Sequence, residues 1–381
     1  MDRFFYDEVE AALEHPDLNV FFWGVNFTGW NSALSSTENV QQQFPDVRFD
    51  IVYSMNQNWG LHIPSAVSVL TIGDCHHPNK CTSSLEPYDD IVALRYAGEL
   101  IDLFRYDQWK SYTHSKAMEL KRQGDIDAYY YILSRKMPFF FHHTDCANEN
   151  VFYPSKFTED WQESRPIPAQ LYGFTWDILY PLRHTVKEGI THGKIFNAVA
   201  YKHPGYDLES DEDLPPPISE RNGKYDSQDA RVGHLRKQQQ SYAQSMRETQ
   251  ICIFDSSVLK KAIRKFHEAF LSGCVVASDI PIEMESMFRD VVIPLRLDMT
   301  AHEVNSVLED YLSRPERLAW MAREAFYRAR QHWTCRNKVD RLLEASERVL
   351  KGEKGYWFPF GFSATCRKYP FAPDKNSEWC T

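Results

Sequence analysis

The sequence predicts an α/β protein built from two Rossmann-like domains, each containing a parallel sheet. Its 381 residues exceed the size at which a single hydrophobic core usually stops growing. Short, continuous apolar runs, typical of strands buried on both faces, recur along the chain. Amphipathic or polar segments of helical length separate several of these runs, as expected for parallel strands joined by crossover helices.

The N-terminal part begins with an amphipathic helix over residues 3–14 and continues with five predicted strands. These strands lie at 18–24, 49–54, 66–74, 90–96 and 137–143. The segment that follows the last strand contains turn residues and prolines and lacks apolar periodicity. We therefore place the linker between the domains there, and residues 1–150 form the predicted N-terminal domain.

A second series of the same kind follows the linker. Its predicted strands lie at 169–174, 196–201, 250–257, 274–280 and 291–297, and its predicted helices lie near 180–192, 238–249 and 262–272. The acidic, Pro-rich stretch 204–235 is predicted to be a loop. The stretch 302–350 is predicted to be helical, with Pro315 suited to a first helical turn. We assign residues 165–335 to a C-terminal domain and 336–381 to a helix and tail.

Composition excludes several classes of protein. A net charge of −10 and a pI near 5.8 argue against non-specific binding to nucleic acid or to anionic membranes. The N-terminus lacks the pattern of a signal peptide, and no segment approaches the roughly 18 apolar residues of a membrane span. We expect a cytoplasmic protein, in which the sequon beginning at Asn26 has no role.

The cysteines support the same expectation. Eight of them are spread along the chain without CxxC spacing, as expected for reduced thiols. Cys75 and Cys81, near His76 and His77, resemble metal ligands, but a second ligand pair at zinc-finger spacing is absent. The acidic run 209–213 invites comparison with a metal-binding Asp-x-Asp motif, but it lies in the Pro-rich stretch. We predict no metal site.

The segment 257–281 carries the clearest chemical signal. It places a basic cluster, a helix with one inward carboxylate, a Gly turn and a buried strand in immediate order. Lys260, Lys261 and Arg264 have the charge to neutralise a diphosphate, and Glu268 has the acceptors for two ribose hydroxyls. Gly273 would end the helix. The alternative is an ordinary amphipathic helix whose charges are solvated.

This segment resembles the donor-binding half of group 1 glycosyltransferases of the GT-B fold, in particular the spore-maturation-protein-like branch. The stretches 138–154, 165–184 and 203–206 resemble the same branch. The resemblance implies two domains facing across a cleft, with C-terminal helices that cross back onto the N-terminal domain. It is weak over the N-terminal domain itself.

The resemblance also implies roles for individual residues. Glu268 would bind the nucleotide ribose, Arg264 the donor phosphates, Arg183 a second phosphate, and Ser257 lies in the donor-binding loop. Where the wider family often has a sugar-contacting Glu, this chain has Lys260. The resemblance therefore leaves the sugar, and the choice between retention and inversion, open.

Residues that follow the predicted N-terminal strands are candidates for the acceptor side. Asp74 or His76 is the candidate general base that deprotonates an acceptor hydroxyl. The remaining acceptor-side candidates are Gly24, Asn26, Thr28, His77 and His142. The alternative is that Asp74 caps a turn, that the neighbouring histidines are exposed, and that His142 packs at the linker.

These observations predict a metal-independent glycosyltransferase. It would move a sugar from a nucleotide-diphosphate donor, UDP- or GDP-linked, to an unidentified hydroxyl acceptor, without a cofactor or a nucleic-acid partner. The oligomeric state is left open. Two alternatives remain: a nucleotide-sugar epimerase or hydrolase on the same fold, and a non-catalytic protein that binds sugar nucleotides or glycans.

Overall fold

The structure, a computed structural model, divides the chain into two compact units. The first unit comprises Trp23–Thr144 and Asp340–Thr381, and the second comprises Met1–Phe22 and Asp145–Val339. The described residues are 3–24, 27, 29–55, 61–72, 89–95, 138–154, 161, 164–202, 230–258, 261–357, 359–360, 367–368 and 378–379. Residues 1–22 thus belong with the second unit, whereas the sequence placed them in the N-terminal domain.

The first unit contains a five-stranded parallel sheet. Its strands are β1 (Ile51–Met55), β2 (Val67–Ile72), β3 (Ile91–Leu94), β4 (Phe139–His142) and β10 (Tyr356–Trp357), in the order β1-β2-β3-β4-β10. All neighbouring pairs are parallel. β10 lies in the C-terminal tail, where the sequence predicted no strand, and it extends the sheet beside β4.

Alternating residues of these strands form the core of the first unit. Val67, Val69 and Phe141 pack in one cluster with Ala345 of a long C-terminal helix, α9 (Cys335–Leu350). A short helix, α2 (Ser36–Gln43), begins with a capping box in which Ser35 and Glu38 satisfy each other's backbone N–H groups. The unit also contains a two-stranded antiparallel pair, β11 (Arg367–Lys368) and β12 (Glu378–Trp379).

The second unit contains another five-stranded parallel sheet. Its strands are β5 (Ile167–Leu171), β6 (Ala198–Ala200), β7 (Thr249–Ile253), β8 (Val275–Ser278) and β9 (Val292–Pro294), in the order β6-β5-β7-β8-β9. Its helices are α1 (Arg3–Leu13), α3 (Pro181–Thr191), α4 (Ala230–Glu248), α5 (Arg264–Leu271), α6 (Ile282–Phe288), α7 (Ala301–Leu312) and α8 (Pro315–His332). The predicted α/β class with two parallel sheets is confirmed.

One buried arginine ties the helices of the second unit to its sheet. Arg165 is fully buried, and its guanidinium donates to the carbonyls of Met246 in the last turn of α4, of Thr249 at the start of β7 and of Ser272 after α5. Those carbonyls lie where the helices leave acceptors unsatisfied and where the helix dipole favours a cation. Burial lowers the pKa of Arg165 to about 9.

The structure contradicts two further predictions, one about a strand and one about the cysteines. Residues 18–24 are not a strand; the chain passes from the second unit to the first within this apolar run. The described cysteines are not reduced thiols, because Cys146 bonds to Cys335 and Cys252 bonds to Cys274. Cysteine spacing carries no information about such pairs, since their partners lie 189 and 22 residues apart. Within the described residues, no helix combines the length and apolarity that a membrane span requires.

Candidate functional site

The strand order of the second sheet identifies where a ligand crevice is expected. From β5 the chain adds β6 on one side, and β7 then pairs with β5 on the other side. In open parallel sheets, ligands bind outside the carboxyl ends of the strands at such a reversal. The candidate site is therefore the edge formed by the residues that follow β5 and β7.

Gly173, two residues beyond β5, brings two cationic side chains together at this edge. Its φ of +103° lies in the left-handed region. A Cβ at this position would stand 2.8 Å from Nη1 of Arg183 and 2.8 Å from Cε of Lys265. Both side chains thus lie against the backbone of residue 173, where only glycine leaves enough room for them. Lys265 was not among the predicted site residues.

Arg183 is held by Asp255, the second residue after β7. Its Nε lies 2.9 Å from Oδ1 of Asp255, and its Nη2 donates to the Asp255 carbonyl at 2.7 Å. Its backbone N–H, in the first turn of α3, donates to the other carboxylate oxygen at 3.2 Å. Burial raises the pKa of Asp255 although Arg183 opposes this effect. The arginine predicted to contact phosphate thus joins α3 to the loop after β7.

That loop is fixed by two carboxylates. The backbone N–H of Ser256 donates to Asp279, which follows β8, and the N–H of Ser257 donates to Asp255. Ser257 has a φ of 67°, a conformation that costs a non-glycine residue about 1–2 kcal/mol. Strained residues of this kind concentrate at functional sites. The predicted donor-binding residue Ser257 therefore lies, buried, at the sheet reversal.

Arg264 and Glu268 lie side by side on α5. Nε of Arg264 donates to Oε1 of Glu268 at 2.8 Å, and Nη2 of Arg264 pairs with the carboxylate of Asp7 on α1. Both α5 residues are at least 95% buried. Burial by itself lowers the pKa of Arg264, and the carboxylates of Asp7 and Glu268 more than offset this and raise it.

The second carboxylate oxygen of Glu268 takes no part in this ion pair. Oε2 is buried and makes no hydrogen bond to any described residue. A buried acceptor left without a donor carries a desolvation cost of about 1–3 kcal/mol, and more when it is charged. A ligand hydroxyl donating to Oε2 would remove that cost.

Asp7, the ion-pair partner of Arg264, was also not among the predicted site residues. It is buried, it accepts from Nε2 of Gln239 at 2.7 Å, and Nδ2 of Asn148 lies 3.5 Å away. Its ion-pair partner Arg264 lies 257 residues further along the chain. A carboxylate at position 7, two residues before the buried Val9, was the only local signal.

The remaining predicted residues are not brought into this network by the described structure. Lys261 is buried between the loop and α5, where its backbone N–H donates to the carbonyl of Ser256. In the first unit, a Cβ added to Gly24 would meet no atom of a described residue within 4 Å, and His142 is fully buried at the end of β4. The other six lie outside the described residues: Asn26, Thr28, Asp74, His76, His77 and Lys260.

Comparisons with known proteins gave structural neighbours only. No protein-family model and no curated protein sequence matches the chain. HepE from Anabaena, solved with UDP, has a TM-score of 0.41 and 11% identity over 76% of this chain and 73% of its own. Sucrose-phosphate synthase from Thermosynechococcus elongatus has a TM-score of 0.41 and 10% identity, covering 83% and 78%. The pneumococcal O-GlcNAc transferase GtfA, solved with UDP and GlcNAc, has a TM-score of 0.36 and 9% identity, covering 75% and 53%. Similarity at this level does not define the activity of this chain.

Proposed function

We propose that this chain is a glycosyltransferase that moves a sugar from a nucleotide-diphosphate donor to an acceptor hydroxyl. The observation that supports this best is the buried Oε2 of Glu268, which accepts no hydrogen bond from a described residue. It lies on the helix that follows the loop at the sheet reversal. A ribose presents two adjacent hydroxyls that match a carboxylate. The strained Ser257 and the cations crossing Gly173 lie at the same edge of the sheet.

In this proposal the second unit holds the nucleotide and the first unit presents the acceptor. Glu268 accepts from the ribose hydroxyls, while Arg264 and Lys261, with Lys260, stabilise the leaving diphosphate. Basic side chains supply this stabilisation without a metal ion. Arg183 positions the loop after β7 through its ion pair with Asp255. Asp74 or His76 is the proposed base. The spore-maturation-protein-like branch remains the proposed subgroup.

Nucleotide binding by the full chain tests the proposal directly. We expect UDP or GDP to raise the thermal midpoint, because a ligand that binds only the folded state stabilises it. Glu268→Gln keeps the shape of the side chain but removes its charge, so we expect about tenfold weaker binding by calorimetry. Glu285→Gln, at a half-exposed ion pair on α6, is the matched control and should bind as the wild type does. Equal affinity of Glu268→Gln and wild type would contradict the ribose assignment.

Product analysis separates the proposed activity from its alternatives. A transferase should add a sugar mass to an acceptor, and donor loss should depend on that acceptor. Donor turnover without any acceptor would favour an epimerase or hydrolase. Nucleotide binding with no turnover, measured by mass spectrometry over a panel of acceptors, would favour a non-catalytic binding protein.

The disulfides bear on the compartment. The prediction of a cytoplasmic protein drew part of its support from reduced thiols, and four described cysteines are paired. Because disulfides persist mainly in oxidising compartments, the pairing favours such a compartment over the cytoplasm. Alkylation and mass spectrometry of the protein from its native cells should find Cys146, Cys252, Cys274 and Cys335 unmodified until a reductant is added. Alkylation of all four without reductant would restore the cytoplasmic assignment.

A further inference from the structure

A second candidate binding site lies on the outward face of α4. A cavity of about 480 Å³ is lined there by Asn150, Val151, Tyr153, Lys237, Gln240, Ser241, Gln244 and Arg247. The helical residues are spaced at positions that share one face, opposite the buried Tyr242, Ala243 and Met246. The cavity shares no lining residue with the Glu268 network. It is within the range of about 300–1,000 Å³ typical of small-molecule sites.

The charge of this cavity is opposite to that of the chain. Among the described residues that line it, Lys237 and Arg247 carry charge and none is a carboxylate. The chain as a whole carries a net charge of −10. Glu248, which follows Arg247 in the chain, accepts a hydrogen bond from the lining residue Gln244 at 2.6 Å. A locally positive pocket on an acidic protein favours an anionic ligand.

Arg247 is positioned before any ligand binds. Its Nη1 donates to the carbonyl of Val151 at 2.9 Å, and its Nε donates to Oε1 of Gln244 at 3.1 Å. Its guanidinium carbon lies 4.5 Å from the centre of the Tyr153 ring. These contacts leave Nη2 without a hydrogen bond to a described residue. An immobilised guanidinium loses little entropy when it binds a planar or tetrahedral anion.

The neutral residues of the cavity match carbohydrate. Three amide side chains, on Asn150, Gln240 and Gln244, and the hydroxyl of Ser241 offer both donors and acceptors. The ring of Tyr153, 48% exposed, adds an aromatic surface with a polar end. Sugar hydroxyls need this mixture, whereas a simple inorganic anion uses only the cations.

We propose that this cavity binds an anionic sugar residue, one that carries a carboxylate or a phosphate. Arg247 and Lys237 contact the acidic group, and the amides and Tyr153 contact the ring and its hydroxyls. The inference goes beyond the proposed transferase activity and does not depend on it, since a glycan held here can be an acceptor, a product or a tether.

Binding of simple sugars to the full chain tests this proposal. The probes are glucuronate, glucose 6-phosphate, glucose and inorganic phosphate, compared by ligand-observed NMR. We expect glucuronate or glucose 6-phosphate to bind at least about tenfold more tightly than glucose or phosphate, and to weaken as salt is raised. Equal binding of inorganic phosphate would overturn the sugar assignment. Equal binding of glucose would overturn the anion assignment, and no binding would overturn both.

Variants locate the binding. Arg247→Gln should weaken the anionic sugar by about tenfold, and Lys237→Ala, at an exposed position that folding does not require, by several-fold. Arg289→Ala, an exposed arginine of the same unit, is the control and should change nothing. Sugar affinity unaltered in both cavity variants would exclude this site. Glu268→Gln should keep full affinity for the anionic sugar, so failure of the nucleotide proposal and failure of this one are distinguishable.

Discussion

The two sheets have the same number of parallel strands, but their strand orders differ. Among the described strands, the order β1-β2-β3-β4-β10 of the first sheet never reverses, whereas the order β6-β5-β7-β8-β9 of the second reverses at β5. The side chains at the two carboxyl edges differ accordingly. In the first sheet, Thr71 donates to the hydroxyl of Tyr53, which lies 3.3 Å from Nε2 of His143. In the second, Arg183 and Asp255 form a buried ion pair.

Among the described residues, the buried ion pair of the second sheet lies at its reversal. At a reversal, the connections that follow the two neighbouring strands run to opposite sides of the sheet, so the loops after β5 and β7 diverge. Charged side chains then hold the loops in place, at a desolvation cost that the raised pKa of Asp255 reflects. We therefore expect substitutions at the carboxyl edge of the second sheet to lower the free energy of unfolding more than substitutions of the described residues of the first.

The largest effect is expected for Asp255→Ala. It leaves Arg183 buried without its partner, so we expect the free energy of unfolding to fall by about 3–5 kcal/mol. Urea denaturation measures this. Asp290→Ala, which breaks the partly exposed pair with Arg328, is the control and should cost about 1 kcal/mol or less. The double variant Arg183→Met/Asp255→Leu should cost less than Asp255→Ala alone; a greater cost would show that the pair is a net source of stability.

The next effect concerns the covalent link within the second sheet. Cys252 lies in β7 and Cys274 immediately precedes β8, and both are fully buried. Replacing both by alanine removes the constraint on the unfolded chain, and we expect a loss of about 3 kcal/mol in urea denaturation without reductant. Reductant treatment of the wild type is not a substitute, because it also opens Cys146–Cys335. An unchanged midpoint would mean that this disulfide does not form in solution.

Gly173→Ala should have a smaller effect. Its φ of +103° alone costs alanine about 1–2 kcal/mol, and the new Cβ must displace Arg183 or Lys265. Gly355→Ala is a matched control in the first unit, since Gly355 has a φ of +101° and a Cβ added there would meet no atom of a described residue within 4 Å. Thermal denaturation of both variants separates backbone strain from crowding. If Gly173→Ala lowers the thermal stability no more than Gly355→Ala does, Arg183 and Lys265 do not require the absence of a Cβ at residue 173.

The smallest effect is expected at the edge of the first sheet. Tyr53→Phe removes the hydroxyl that accepts from Thr71 at 2.6 Å, and the neutral hydrogen bonds lost there should cost about 0.5–1.5 kcal/mol. Chemical denaturation checks this value. A loss as large as that of Asp255→Ala would erase the energetic contrast between the two edges.

Most strands and helices of the second unit were predictable from the sequence, but the contacts between its candidate site residues were less so. The apolar runs at 250–257 and 274–280 correspond to β7 and β8, and the helix near 262–272 to α5. Arg264 and Glu268, four residues apart, are expected to be neighbours on a helix, and they are. The pairing of Arg183 with Asp255 was not predictable, because it depends on β5 and β7 being adjacent. The role of Asp7 was not predictable either, since its partner lies in a distant part of the chain.

The sequence by itself determined the class of fold and the positions of most strands and helices, because periodicity and turn residues act over a few neighbouring positions. Only the tertiary structure decided which charges meet, which cysteines bond, and that residues 18–24 cross between units instead of pairing as a strand. An ion pair or a disulfide depends on the distance between two side chains in space. In this chain, folding brings Asp7 next to Arg264 and Cys146 next to Cys335, although each pair is far apart in the sequence.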